Sequence, residues 1–256
     1  MTAERALCAG LPTPHRIRPK VSWELRRPSV NSVGGVRRPA PSAFGVRRPV
    51  AAFLVDYGEN GTSEKKAAKG RRTPGISIIT MKRVCVFCGS SHGSRPEYRA
   101  AAEELVCSLA RRGLGLVFGG GGIGLMKVMA DAGLELGLEI IGVIPEALVA
   151  KELAHRGLSD LRVVRSMHER KALMAELADA FVALPGGFGT LEELCEVLTW
   201  AQLGLHRKPS GLLNVAGYFD PLLAFFDHAL AERFLRPEHR AMVLVDSDPE
   251  MLLDHL

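Results

Sequence analysis

Residues 81–256 predict one doubly wound, Rossmann-like α/β domain, a parallel sheet with helices on both faces, and residues 1–80 predict a disordered N-terminal extension. Three observations carry this reading. From Arg83 onward, short β-rich runs alternate with helical patterns, the signature of a parallel sheet wrapped by helices. Three turns out of strands are rich in glycine or hydroxyl residues: CGSSHGS (Cys88 to Ser94), GGGGIGLM (Gly119 to Met126) and PGGFGT (Pro185 to Thr190). Residues 1–80, by contrast, hold eight of the fifteen prolines, repeat GVRRP, and show no sustained period of 2 or 3.6.

Taken in order, strands are read at 83–87 (RVCVF), 115–118 (GLVF), 139–144 (EIIGVI), 162–164 (RVV), 180–184 (AFVAL), 211–215 (GLLNV) and 242–245 (MVLV). Helices fill the intervals at about 96–112, 124–137, 167–178, 190–203 and 219–232, with a short one at the C-terminus. The helix over 167–178 is well marked. Ser166 and Glu169 form a capping box, and Leu173, Met174, Leu177 and Ala178 supply its buried stripe. Thr190 and Glu193 read as a second capping box, with Leu191, Leu194, Cys195, Leu198 and Ala201 facing the core. That assignment leaves Glu193, Glu196, Val197 and Trp200 on the opposite face, toward a crevice or a second subunit.

The chain of 256 residues is 47% hydrophobic, enough for one sizeable domain and too little for two large ones. Charge is divided unevenly. Residues 1–80 carry 15 Lys+Arg against 5 Asp+Glu, whereas the remainder carries 18 against 23. The basic extension admits a transit peptide or a nucleic-acid-binding arm, but few serines and no interleaved aromatics favour a plain disordered extension, with Met81 as an alternative start. No apolar run reaches the ~20 residues that span a bilayer, so a soluble, cytoplasmic protein with no membrane partner is expected. Of the five cysteines, Cys85 and Cys88 form one C-x-x-C inside a strand pattern, which points to core packing, not to a metal site.

In doubly wound sheets, ligands sit beyond the carboxyl ends of the strands, where these glycine turns gather, and such turns suit a phosphate-bearing ligand. Gly119, Gly121 and Gly124 fit G-x-G-x-x-G, but they follow the second strand and lack a clear acidic partner for a ribose, so an ordinary NAD site is not expected. No lysine follows a glycine turn as a P-loop requires. Arg170 and Lys171 stand near the start of their helix, where the macrodipole disfavours a cation by ~0.3–1 kcal/mol. Either they pair with Glu169 or reach water, or they wait for an anion at the strand ends.

SMHERKALM (Ser166 to Met174), LPGGFGTLEE (Leu184 to Glu193) and TWAQLGLHRKPSGLLNVAGYFDPLL (Thr199 to Leu223), together with VFCGSS and GGGGIGLM, resemble the Lonely Guy (LOG) family, the cytokinin riboside 5′-monophosphate phosphoribohydrolases. The resemblance covers residues 82–256. It implies hydrolysis of the N-glycosidic bond of an N6-modified adenosine 5′-monophosphate to free base and ribose 5-phosphate. On the matching motifs, Glu193 would stabilise the oxocarbenium-like sugar and orient or deprotonate water, with Glu192 beside it, and Arg170 would support the departing purine next to Lys171. The turn formed by Gly186, Gly187, Phe188, Gly189, Thr190 and Leu191 would hold the 5′-phosphate, with Ser90, Ser91, Gly120 and Gly121 as further contacts. By family position Glu152 and Thr199 also line the ligand. The resemblance further implies a homodimer with sites near the subunit interface and no metal or redox cofactor. Two alternatives stand beside it. A non-catalytic nucleotide carrier of the same fold explains the glycines equally well but does not call for both Arg170 and Glu193, and a nucleic-acid binder would act through the extension alone.

Overall fold

The computed structural model describes residues 81–149, 151 and 153–256. The expectations for residues 1–80 and for Glu152 lie outside the described residues. Seven strands run parallel: β1 (Arg83–Phe87), β2 (Gly115–Phe118), β3 (Ile140–Pro145), β4 (Asp160–Val164), β5 (Ala180–Ala183), β6 (Ser210–Leu213) and β7 (Val243–Asp246). They lie in the order β4-β3-β2-β1-β5-β6-β7. From β1 the chain winds outward to β4, then returns to place β5 against β1 and winds the other way. This reversal makes the predicted doubly wound sheet.

The helices are α1 (Pro96–Arg111), α2 (Gly124–Glu135), α3 (Glu146–Val149), α4 (Met167–Leu177), α5 (Phe188–Gln202), α6 (Asp220–Ala231), α7 (Pro237–Arg240) and α8 (Pro249–His255). The short α3 and α7 carry no periodic apolar stripe long enough to announce them. Alternation along the strands sends Val84 and Val86 to a core shared with α1, α2 and α8, and Cys85 and Phe87 to a second core shared with α4 and α5. Cys85 and Cys88 therefore enter opposite cores, and burial pushes both thiols well above their ordinary value. The strand predicted to reach residue 215 ends at Leu213, because Asn214 turns the chain: its side chain accepts from the Phe219 N–H at 2.8 Å and donates to Asp220 at 2.7 Å.

Helix α5 departs most from expectation. It begins at Phe188 with Gly187 as N-cap, two residues earlier than predicted, and no side chain caps it. Thr190 therefore stands inside the first turn, Glu193 falls in the second, and the proposed Thr190–Glu193 capping box does not exist. The predicted faces also change. Thr190, Glu193, Leu194 and Val197 are buried while Cys195 is exposed. Reading apolarity alone put Glu193 and Val197 outside; a charge partner inside the fold brings Glu193 in. Among the described residues, no helix is long and apolar enough to cross a membrane.

Candidate active site

Because β1 leads away to one side of the sheet and β5 to the other, the turns leaving them part and open a crevice at their carboxyl ends. The glycine turns interlock there. The Gly89 N–H donates to the Pro185 carbonyl at 3.0 Å, and the Leu125 N–H donates to the Gly89 carbonyl at 3.1 Å. A Cβ on Gly124, at φ 58°, would stand 2.2 Å from the carbonyl carbon of Ser90. Gly124→Ala is thus expected to destabilise the chain by more than the about 1–3 kcal/mol of backbone strain alone. The denaturant midpoint reads this, and an unchanged midpoint would mean that the two turns do not touch.

Ser166 starts α4 as predicted: its Oγ accepts from the Glu169 N–H at 3.1 Å. Glu169 itself turns back to Arg165, so it is not the partner of the cations that follow. Those cations meet α5. Arg170 Nη1 lies 2.7 Å from Glu193 Oε1, with the two residues only 8% and 7% exposed. Arg170 Nε donates to the Val143 carbonyl of β3 at 3.1 Å, and its Nη2 occupies the space that a Cβ on Gly119 would need. Lys171 pairs with Glu192 and, at 3.0 Å, with Glu196. The anions awaiting both cations are therefore carboxylates of α5, and neither the pairing with Glu169 nor the water-exposed alternative holds.

Burial raises the Glu193 carboxyl above its ordinary value, and Glu192 adds to this, against the pull of Arg170. For Lys171, burial lowers the ammonium, but Glu192 and Glu196 outweigh it and leave a net rise. Directly above Glu193, the opening of α5 leaves its first backbone N–H groups without a side-chain cap, which suits an anion. The arrangement can hold negative charge at the helix start and stabilise positive charge one turn below it.

Most of the expected site residues gather here. Gly186, Gly187, Phe188, Gly189 and Thr190 form the turn and first helical residues, with Phe188 93% exposed at the lip and Thr190 Oγ1 packed against Gly186. Leu191 is half-buried: it packs on the second core and its N–H bonds the Gly187 carbonyl. Ser90 and Ser91 are exposed on the turn after β1. The Gly120 carbonyl and the Gly122 N–H are taken by His155 and Leu153, and Gly121 bridges Ala154, so the 153–155 segment straps this turn. His155 is held in turn by Asp131 at 2.9 Å, and sequence reasoning had singled out neither residue. Thr199 is not brought in. It sits nine residues, about 13 Å, along α5 from Thr190, exposed, with its hydroxyl donating to the Cys195 carbonyl.

The family described as "Possible lysine decarboxylase" matches residues 126–256. A probable cytokinin riboside 5′-monophosphate phosphoribohydrolase of Oryza sativa subsp. japonica is 51% identical over 193 residues, 75% of this chain and 85% of that protein. The chain belongs to this phosphoribohydrolase (LOG) family. A LOG protein of Arabidopsis thaliana is 49% identical over 68% of this chain and 81% of its own length. In fold, the LOG-family chain is similar to a molybdenum cofactor binding protein from Rippkaea orientalis, with TM-score 0.52, 19% identity, and coverage of 69% of this chain and 96% of the other. It is similar to the Moco carrier protein from Chlamydomonas reinhardtii to the same TM-score, at 22% identity and with 69% and 100% covered. At these identities the likeness extends to the LOG-family chain's fold alone.

Proposed function

We propose that this chain hydrolyses the N-glycosidic bond of N6-modified adenosine 5′-monophosphate, the step that frees an active cytokinin base and leaves ribose 5-phosphate. The observation that carries this reading is the buried Arg170–Glu193 pair directly below the uncapped start of α5. The 5′-phosphate binds the N–H groups of the Gly186–Thr190 turn. As the bond to the purine lengthens, positive charge grows on the sugar, and the Glu193 carboxylate stabilises it and accepts the proton of the attacking water. Arg170 keeps Glu193 ionised and aimed, and its remaining N–H groups support the departing base. Water supplies both the hydroxyl that joins the sugar and the proton that the base retains, so the reaction balances without a cofactor.

Lysine decarboxylation is the weaker reading. Lys171, the lysine beside the site, is ion-paired and held protonated by Glu192 and Glu196, the opposite of what an amine nucleophile needs. We place the protein in the cytoplasm as a homodimer. Of the outward Val197 and Trp200 face expected to explain a dimer, Val197 does not stand, since it is 3% exposed in its own core, and Trp200 is half-buried. Exposed Leu203 and Leu205 after α5, with Phe225 on α6 and Phe234 beyond it, supply apolar surface instead.

The test is to incubate the full chain with AMP and with isopentenyladenosine monophosphate and to follow free base by chromatography. Release of base with stoichiometric ribose 5-phosphate is expected. Tight nucleotide binding with no base released would make the protein a carrier.

A further inference from the structure

Resting on the reading of the Gly186–Thr190 turn as the phosphate site, we infer that Tyr218 is a positioning residue that sets the direction of the Gly187 N–H by holding the Gly186 carbonyl. The Tyr218 hydroxyl donates to that carbonyl at 2.5 Å, across 32 residues of sequence. The peptide it holds is unusual. With glycine on both sides of the Gly186–Gly187 bond, no Cβ restricts rotation of the plane, so the unit can turn over at little steric cost. In a planar trans peptide the carbonyl and the following N–H point in opposite directions. Anchoring the Gly186 oxygen to Tyr218 therefore commits the Gly187 N–H to the far side, and a flipped peptide would present a carbonyl oxygen to an anion in its place.

The surroundings hold Tyr218 for this task. Its ring meets Tyr98 edge-on at 5.6 Å and Phe219 at 5.1 Å. Tyr98 also covers Gly93, where any Cβ would lie 2.6 Å from its ring, so the tyrosine pair braces the turn after β1 as well as the turn after β5. The turn that presents Tyr218 includes Ala216 at φ 50° and Gly217 at φ 72°. A non-glycine residue kept at positive φ implies a conformation imposed by its surroundings. Asn214 fixes the exit of this turn through Phe219 and Asp220.

The experiment is Tyr218→Phe in the full chain, which keeps the ring and its stacking and removes only the hydroxyl. KM for AMP should rise roughly five- to tenfold, with kcat changed less than about twofold, in keeping with one lost hydrogen bond. Inhibition by ribose 5-phosphate should weaken by the same factor. The kcat/KM for adenosine, which lacks the phosphate, should not change, and the melting temperature should stay within about 2 °C. An unchanged KM for AMP, or an equal loss with AMP and adenosine, overturns the role assigned to Tyr218. The wild type alone tests the underlying site: if it does not favour AMP over adenosine, the phosphate reading falls and this inference falls with it.

Discussion

Glu193→Gln is expected to slow base release by roughly 10² to 10⁴ while the protein stays folded, because the amide fills the same space but neither offsets a sugar cation nor takes a proton from water. Substrate binding should change little, so the loss appears in kcat more than in KM. The wild-type pH profile carries the same signature. Burial holds the folded Glu193 carboxyl above the ordinary carboxylate value, so kcat/KM should fall on acidification while the pH is still above that of a free glutamate. The variant's small residual rate should lack this acid limb. A Gln variant within tenfold of the wild type, or one that retains the limb, would assign the chemistry to another group.

Arg170→Met should damage both stability and activity, and by a separable route. Removing one partner of a buried ion pair leaves the other uncompensated, at about 3–5 kcal/mol. Glu193 escapes part of that penalty by taking up a proton. The folded carboxyl, already raised in the wild type, then rises further above its value in the unfolded chain. The folded state binds the proton more tightly, so this group's contribution to stability is full below the ordinary carboxylate pKa and is lost as pH rises through the raised folded value. Denaturant titrations should therefore show Arg170→Met losing stability relative to wild type from mildly acid to neutral pH. Adding Glu193→Gln should recover most of the stability and none of the activity. Two independent, additive losses would mean that the two side chains do not interact.

Much of the fold was legible because its signals are local and periodic. All seven strands lie within two residues of expectation, since runs such as RVCVF and GLVF are buried on both faces and admit few other readings. The start of α4 was equally clear, because Ser166 reaches an N–H only three residues away. The start of α5 misled, because T-x-x-E at Thr190–Glu193 has the spacing of a capping box while Gly187, with no side chain to advertise it, caps the helix instead. Assigning Glu193 to the outer face had the same origin: a hydrophobic stripe is drawn from one helix alone, and the arginine that makes burial of a carboxylate tolerable stands on another.

The sheet, the three glycine turns and the motifs shared with the phosphoribohydrolases were readable from the chain alone, since each depends on neighbours a few positions away or is read directly. Which charges meet depends instead on contacts between elements distant in the chain. Arg170 finds Glu193, Lys171 finds Glu192 and Glu196, and Tyr218 finds the Gly186 carbonyl, whereas Thr199 remains outside the site within one chain. Strand order sets those encounters: β5 returns to lie against β1, and the side chains that then face one another across the crevice have no spacing in the sequence that foretells it.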